Sequence, residues 1–165
     1  MEEEEEKIYT NEIKSNKNHL IFLKIKHKDN TLFFYSHFTE NYITANYIGK
    51  FSLEELQNDS NYYKQFNNIK FIVQEIKDYS GAEKIKAEEE KDKINIIFPI
   101  SSVNFKEISF ILNLKQKSDL EKIKEYEKAF ERFKEEINGL HIYIKKLIDK
   151  ITSLENRFIM PGFIS

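Results

Sequence analysis

The stretch 118-SDLEKIKEYEKAFERFKEEINGLHIYIKKLIDKITSLENRF-158 decides how the rest of this chain is read. Its apolar residues fall at 123, 126, 130, 133, 137, 140, 144, 147, 151, 154 and 158, steps of three and four that alternate without an error. That is the seam of a coiled coil. With Ile123 as heptad position a, the a residues are Ile123, Phe130, Ile137, Ile144, Ile151 and Phe158, and the d residues are Tyr126, Phe133, Leu140, Leu147 and Leu154. β-Branched side chains at a with leucine at d favour two parallel strands, so these residues are the expected dimerisation surface. Ser118 and Glu121 have the spacing of a capping box that starts the helix. Asn138-Gly139 is a turn dipeptide, and glycine costs about 1 kcal/mol inside a helix. A break there would reset the heptad phase, yet the phase continues and Gly139 falls at the outward position c. The spacing therefore predicts one unbroken helix over 118–158.

The flanks add detail. Lys150 at g faces Glu155 at e in a parallel pair, an attractive combination. Tyr143 at g and Ile148 at e widen the apolar stripe, and Ile142 at f lies outside a two-helix seam, so these three are candidate partner contacts. Pro161-Gly162 ends the helix. The apolar tail 159–165 that contains them offers Phe163 and Ile164 as further candidate contacts.

Upstream of the helix the period is two. The run 19-HLIFLKIKH-27, the turn Lys28-Asp29-Asn30 and the run 31-TLFFYSHF-38 form a hairpin pattern. A break at Glu40-Asn41 precedes 42-YITANYI-48, and Ile8–Ile13 is a further candidate strand. The period then becomes helical. Ser52 and Glu55 make a capping box, with Phe51 and Leu56 as its hydrophobic staple. After Asn58-Asp59-Ser60-Asn61, residues Ile69, Ile72, Val73, Ile76 and Tyr79 recur on one face of a second helix that stops at Ser80-Gly81. The strand period returns in 82-AEKIKAEEE-90, 94-INIIFPI-100 and 105-FKEISFILNLKQ-116. The expected fold class is α+β: a small antiparallel β-sandwich or barrel head of about seven strands, a two-helix insert over 52–80, and a long C-terminal coiled-coil helix. The expected organisation is an acidic disordered tail over 1–7, the head over 8–117, the coil over 118–158 and the tail over 159–165.

This order of elements resembles the superfamily of DNA end-joining ligase scaffolds and centriolar cartwheel proteins. Those proteins join a β-sandwich head with a helical insert to a parallel coiled-coil tail. The resemblance runs from about Ile8 to Phe158 and rests on element order and length, not on a residue motif. It implies a non-enzymatic scaffold in a ciliary, basal-body or other cytoskeletal assembly; the alternative is a nuclear end-joining scaffold that holds a repair partner through its coil.

Composition narrows the function classes. The 165 residues are 40% hydrophobic and 33% charged, a balance that folds. Twenty-six basic against 28 acidic residues leave no field to steer nucleic acid. All the basic residues but Arg132 and Arg157 are lysine, and arginine is the residue of bidentate guanine and phosphate contacts, which argues against nucleic acid as a partner. No apolar run reaches membrane-spanning length, so no membrane is expected, and the acidic opening Glu2–Glu6 is the reverse of a signal-peptide start, so an intracellular site is expected. The absence of cysteine excludes disulfides and thiolate chemistry. His19, His27, His37 and His141 do not converge, and Glu88-Glu89-Glu90 with Asp92, amid Lys86, Lys91 and Lys93, read as a solvated hairpin tip. With four glycines and no phosphate-loop or catalytic motif, no cofactor, metal or small-molecule substrate is expected. The expected partners are proteins: a second copy or a similar coiled-coil chain.

Overall fold

A computed structural model describes residues 6–79, 84–100, 102 and 104–158, together with the side chains of all of these except 6, 7, 79 and 158. The chain divides into two compact units: Met1–Glu40 with Thr44–Gln116, and Asn41–Ile43 with Lys117–Ser165.

The first unit is built on seven strands: β1 (Glu6–Lys14), β2 (Leu20–Lys28), β3 (Thr31–Glu40), β4 (Ile43–Ser52), β5 (Lys86–Glu89), β6 (Lys93–Pro99) and β7 (Glu107–Leu114). They form one sheet in the order β1-β2-β3-β4-β7-β6-β5, and the pairings at β1–β2, β2–β3, β4–β7, β6–β7 and β5–β6 are antiparallel. Helices α1 (Leu53–Asp59) and α2 (Ile69–Tyr79), with a 3-10 turn at Tyr63–Gln65 between them, lie between β4 and β5 in sequence. A long helix α3 (Asp119–Phe158) follows β7. This is the expected α+β class.

Alternation places the core. Ile21, Leu23 and Ile25 of β2, Leu32 and Phe34 of β3, and Ile108, Phe110 and Leu112 of β7 are buried, while Glu107, Ser109 and Ile111 between the last three are exposed. Phe34 is the hub: its ring stacks on Phe110 at 4.5 Å between centroids and meets Phe51 edge-on at 5.5 Å and Phe98 at 6.4 Å. One aromatic cluster thus ties β3, β4, β6 and β7 together. Such pairs contribute roughly 0.5–1.5 kcal/mol each beyond their burial.

The helical insert closes onto this core. The Ser52 N–H donates to Glu55 Oε2 at 2.8 Å and the Glu55 N–H donates to Ser52 Oγ at 3.2 Å, so both capping-box bonds are made. The Ser52 N–H holds the Glu55 carboxyl below the usual carboxylate range. Leu56 is buried, and Ile69, Ile72, Val73 and Ile76 of α2 are all buried, with α2 packed against β1 and β6. Phe71, on the other side of the helix, is exposed.

The structure departs from the sequence reading in several places. Glu6 and Lys7, expected in the disordered tail, belong to β1, where they pair with His27 and Lys26 across a bulge that precedes Tyr9. β4 runs on past Ile48 to Ser52 because Gly49 lets the strand pass under the Phe51 ring; a Cβ at 49 would sit 2.6 Å from it. β5 is only four residues long. The expected helix stop at Ser80-Gly81 and the tail over 159–165 lie outside the described residues.

The largest correction concerns the acidic run. Glu88 and Glu90 are exposed, but Glu89 is buried, with 3% of its side chain accessible. His19 Nδ1 lies 2.9 Å from both Glu89 carboxylate oxygens, and the His19 ring stacks on Phe38 at 4.5 Å. The Glu89 N–H donates to Asn16 Oδ1, and the Asn16 N–H donates to the Ala87 carbonyl, both at 2.9 Å. Beside them, Ser15, just past β1, and Ala87 of β5 form a parallel bridge, so the two sheet edges meet at one point and the sheet is nearly closed into a barrel. Alternation with Ile85 and Ala87 puts Glu89 on the inward face, but the partner that accommodates a carboxyl group there lies 70 residues away in the sequence.

Substitutions at two positions, Ile72 and Glu89, test these contacts. Ile72→Ala should lower unfolding free energy by about 2–4 kcal/mol, since the residue is fully buried and leaves a cavity; denaturant titration measures it. Glu89→Ala should cost about 1–3 kcal/mol through the unsatisfied His19 ring and accelerate amide exchange at Asn16. Glu89→Gln, which keeps an acceptor, should cost less.

Candidate functional site

The C-terminal helix starts where its sequence says. The Ser118 N–H donates to Glu121 Oε2 at 2.8 Å and the Glu121 N–H donates to Ser118 Oγ at 3.3 Å, a second complete capping box. From there α3 runs 40 residues without interruption, through Asn138 and Gly139. At 1.5 Å per residue it is about 60 Å long.

The second unit has two regions. Near its start the helix is braced. Lys117 and Glu125 form an ion pair, each side chain about four-fifths covered. The Tyr42 ring meets the Phe133 ring edge-on at 5.0 Å, and the Arg132 guanidinium lies over Tyr42 at 5.4 Å from its centroid. Tyr42 and Asn41 occupy the turn between β3 and β4 with φ of 65° and 48°, the left-handed region that a bulky side chain avoids. The ring and guanidinium contacts offset that strain.

Beyond the brace, every described side chain from Lys134 to Arg157 is exposed. The ten described seam residues, Ile123 to Leu154, are between 40% and 67% exposed, with Leu147 at the low end and Phe130 at the high end. Phe158 lies in the helix, and Phe163 and Ile164 lie outside the described residues. Ile142, Tyr143 and Ile148 are also exposed. An apolar stripe of this length left in water is a surface made for another surface.

No comparable chemistry gathers in the head. Among the described residues, no group of three or more histidines and carboxylates is placed to hold a metal ion. Burial, then the charges of Glu89 and Asp92, raise the Tyr47 phenol above its usual range, and burial pushes the Tyr63 phenol up. Both rings belong to the core. A shallow cleft of about 610 Å³ on the outer face of the sheet is lined by Phe33, Tyr35, Ile48, Lys50 and Ile111 among others, and is mainly apolar. No helix among the described residues is long and apolar enough to cross a membrane.

The sequence reading placed the seam residues on one helix; it missed Tyr42 and Arg132. The available signal was an aromatic residue at a two-residue turn, where polar residues or glycine are usual.

No family model matches the chain, and no curated protein matches it. Among solved structures, an N-terminal fragment of Leishmania SAS-6 containing parts of its coiled-coil domain is similar, with 10% identity and a TM-score of 0.45 over 92% of this chain and 99% of that one.

Gly139 has no neighbour within 4 Å of where a Cβ would stand. Gly139→Ala should therefore stabilise α3 by roughly 0.5–1 kcal/mol. Circular dichroism should show a higher coil melting temperature, and an unchanged one would mean that the helix opens at Asn138-Gly139 in solution.

Proposed function

We propose that this protein is a non-enzymatic scaffold whose α3 helices pair in a parallel coiled coil, building the heads into a larger cytoskeletal assembly of the ciliary or basal-body kind. The observation that carries this reading is the exposed heptad stripe on α3. Full burial of such side chains is worth roughly 1.5–3 kcal/mol each, and about half of each is still in water. Ten from each of two copies therefore outweigh an association cost of roughly 4–15 kcal/mol.

Orientation follows from the flanks. In a parallel, in-register pair, each g residue faces the e residue five positions on in the other copy. Lys122 then meets Glu127, Glu136 meets His141, Tyr143 meets Ile148, and Lys150 meets Glu155. Ala129 meets Lys134, and no flank sets like charges together. An antiparallel pair brings g beside g and e beside e, which loses both lysine–glutamate matches. The self-matching favours a second copy over a different chain. The cytoskeletal setting rests on the element order, in which a seven-strand head with a two-helix insert leads straight into the coil.

Two experiments test the pairing. Leu147→Asp with Leu154→Asp places charges in adjacent d layers, so light scattering should report a monomer whose head still melts cooperatively; a surviving dimer would move the association to the head. The absence of native cysteine makes Leu154→Cys a clean orientation probe. In a parallel pair the two sulfurs share one layer, near the roughly 5.5–6 Å Cα separation that a disulfide prefers. In an antiparallel pair they lie roughly 40 Å apart. Leu140→Cys, mid-seam, should cross-link either way, so oxidation at 140 without oxidation at 154 rejects the parallel arrangement. Localisation of a tagged copy to centrioles or basal bodies tests the setting; nuclear localisation with salt-sensitive DNA binding would reject it.

A further inference from the structure

Resting on the parallel pairing above, we infer that the paired coil carries, between Leu140 and Ile151, two equivalent grooves that each receive an acidic amphipathic helix of a partner protein. Only here does a flank pair two large apolar side chains. In the heptad before, Glu136 meets His141; in the heptad after, Lys150 meets Glu155. Between them Tyr143 of one copy meets Ile148 of the other, both more than half exposed in the single chain. A flank pair of this size extends the apolar surface out of the seam, so that the a and d layers at Ile144 and Leu147 continue into a groove with an apolar floor.

The rims decide what fits. Lys146 at c lies one turn from Tyr143 on its helix, and Lys145 at b lies one turn from Ile148 on the other. Each groove is therefore edged by lysine on both sides, with Lys150 one turn further along. The acidic residue of this stretch, Asp149 at f, stands on the far side of the helix from the seam. An apolar floor between two basic rims is complementary to a helix with a leucine-type stripe flanked by glutamates. The stretch from 140 to 151 is about 16 Å long, room for three turns of such a helix.

The same geometry disfavours the other occupants. A second paired coil would bring lysine rims against lysine rims. A bilayer is flat and can meet only one of two grooves that the twofold axis puts on opposite sides. Ile142, a candidate partner contact on the sequence alone, stands at f, away from both grooves; the pairing removes it from the proposed contact, and it serves as an internal control.

The probe is a fluorescein-labelled synthetic 21-residue peptide with leucine at a and d and glutamate at e and g; its counterpart carries lysine in place of glutamate. Light scattering of the full chain alone comes first: a monomer there fails the pairing, whereas a dimer that ignores the acidic peptide in anisotropy titration fails the groove. The expected results are at least tenfold tighter binding of the acidic than of the basic peptide, and at least a tenfold loss in Tyr143→Gln/Ile148→Gln with dimer mass unchanged. Ile142→Ser should stay within twofold of the parent, and Lys145→Glu/Lys146→Glu should reverse the peptide preference. Equal binding of both peptides, or a loss that follows Ile142 instead of Tyr143 and Ile148, overturns the inference. So does a tetramer that Tyr143→Gln/Ile148→Gln reduces to a dimer, which would make a second coil the occupant. Co-sedimentation with phosphatidylserine vesicles that the same double variant abolishes would make it a membrane.

Discussion

A sheet of seven strands has two edges, and here Ser15, Asn16 and His19 at the end of β1 meet Ala87 and Glu89 of β5. A free edge exposes a row of unpaired N–H and C=O groups and invites pairing with other chains. The two edges meet through a single parallel bridge, and one buried carboxylate holds the joint, facing His19 Nδ1 while its own N–H donates to Asn16. Glu89 must stay satisfied, because a buried polar group without a partner costs free energy, so the joint between the two edges depends on the partners of this one side chain.

With the edges joined, the aromatic hub around Phe34 has a nearly closed wall to pack against. Phe51 lies at the junction of sheet and insert: it packs on Phe34 and Phe110, covers Gly49, and immediately precedes the Ser52 cap of α1. The insert is therefore part of the core, not an appendage to it. Its second helix spends Ile69, Ile72, Val73 and Ile76 on burial and leaves Phe71 exposed on its other side.

The C-terminal helix follows the opposite economy. Its first turns are held by a capping box, an ion pair and the Tyr42 ring, and the remainder offers its apolar residues to solvent. Most helical stability in proteins comes from packing of an amphipathic face, not from intrinsic propensity. The proposed scaffold role and the proposed partner groove both lie on that exposed stripe.

The sequence by itself determined the elements whose signal is local and periodic. The 3-4 spacing from 123 to 158 carried α3 through Gly139, S-x-x-E placed both helix starts, and the period of two located the strand runs that become β2, β3 and β7. What it could not supply were contacts between residues far apart in the chain or at turns with unusual backbone. Glu89 looked like one of three solvated glutamates until the fold set His19 beside it, and Tyr42 looked like the first residue of a strand until its left-handed turn carried the ring onto Phe133. Periodicity reports which face of an element is apolar; only tertiary structure decides what stands opposite that face, because the partner's identity is set by chain closure and not by the local sequence.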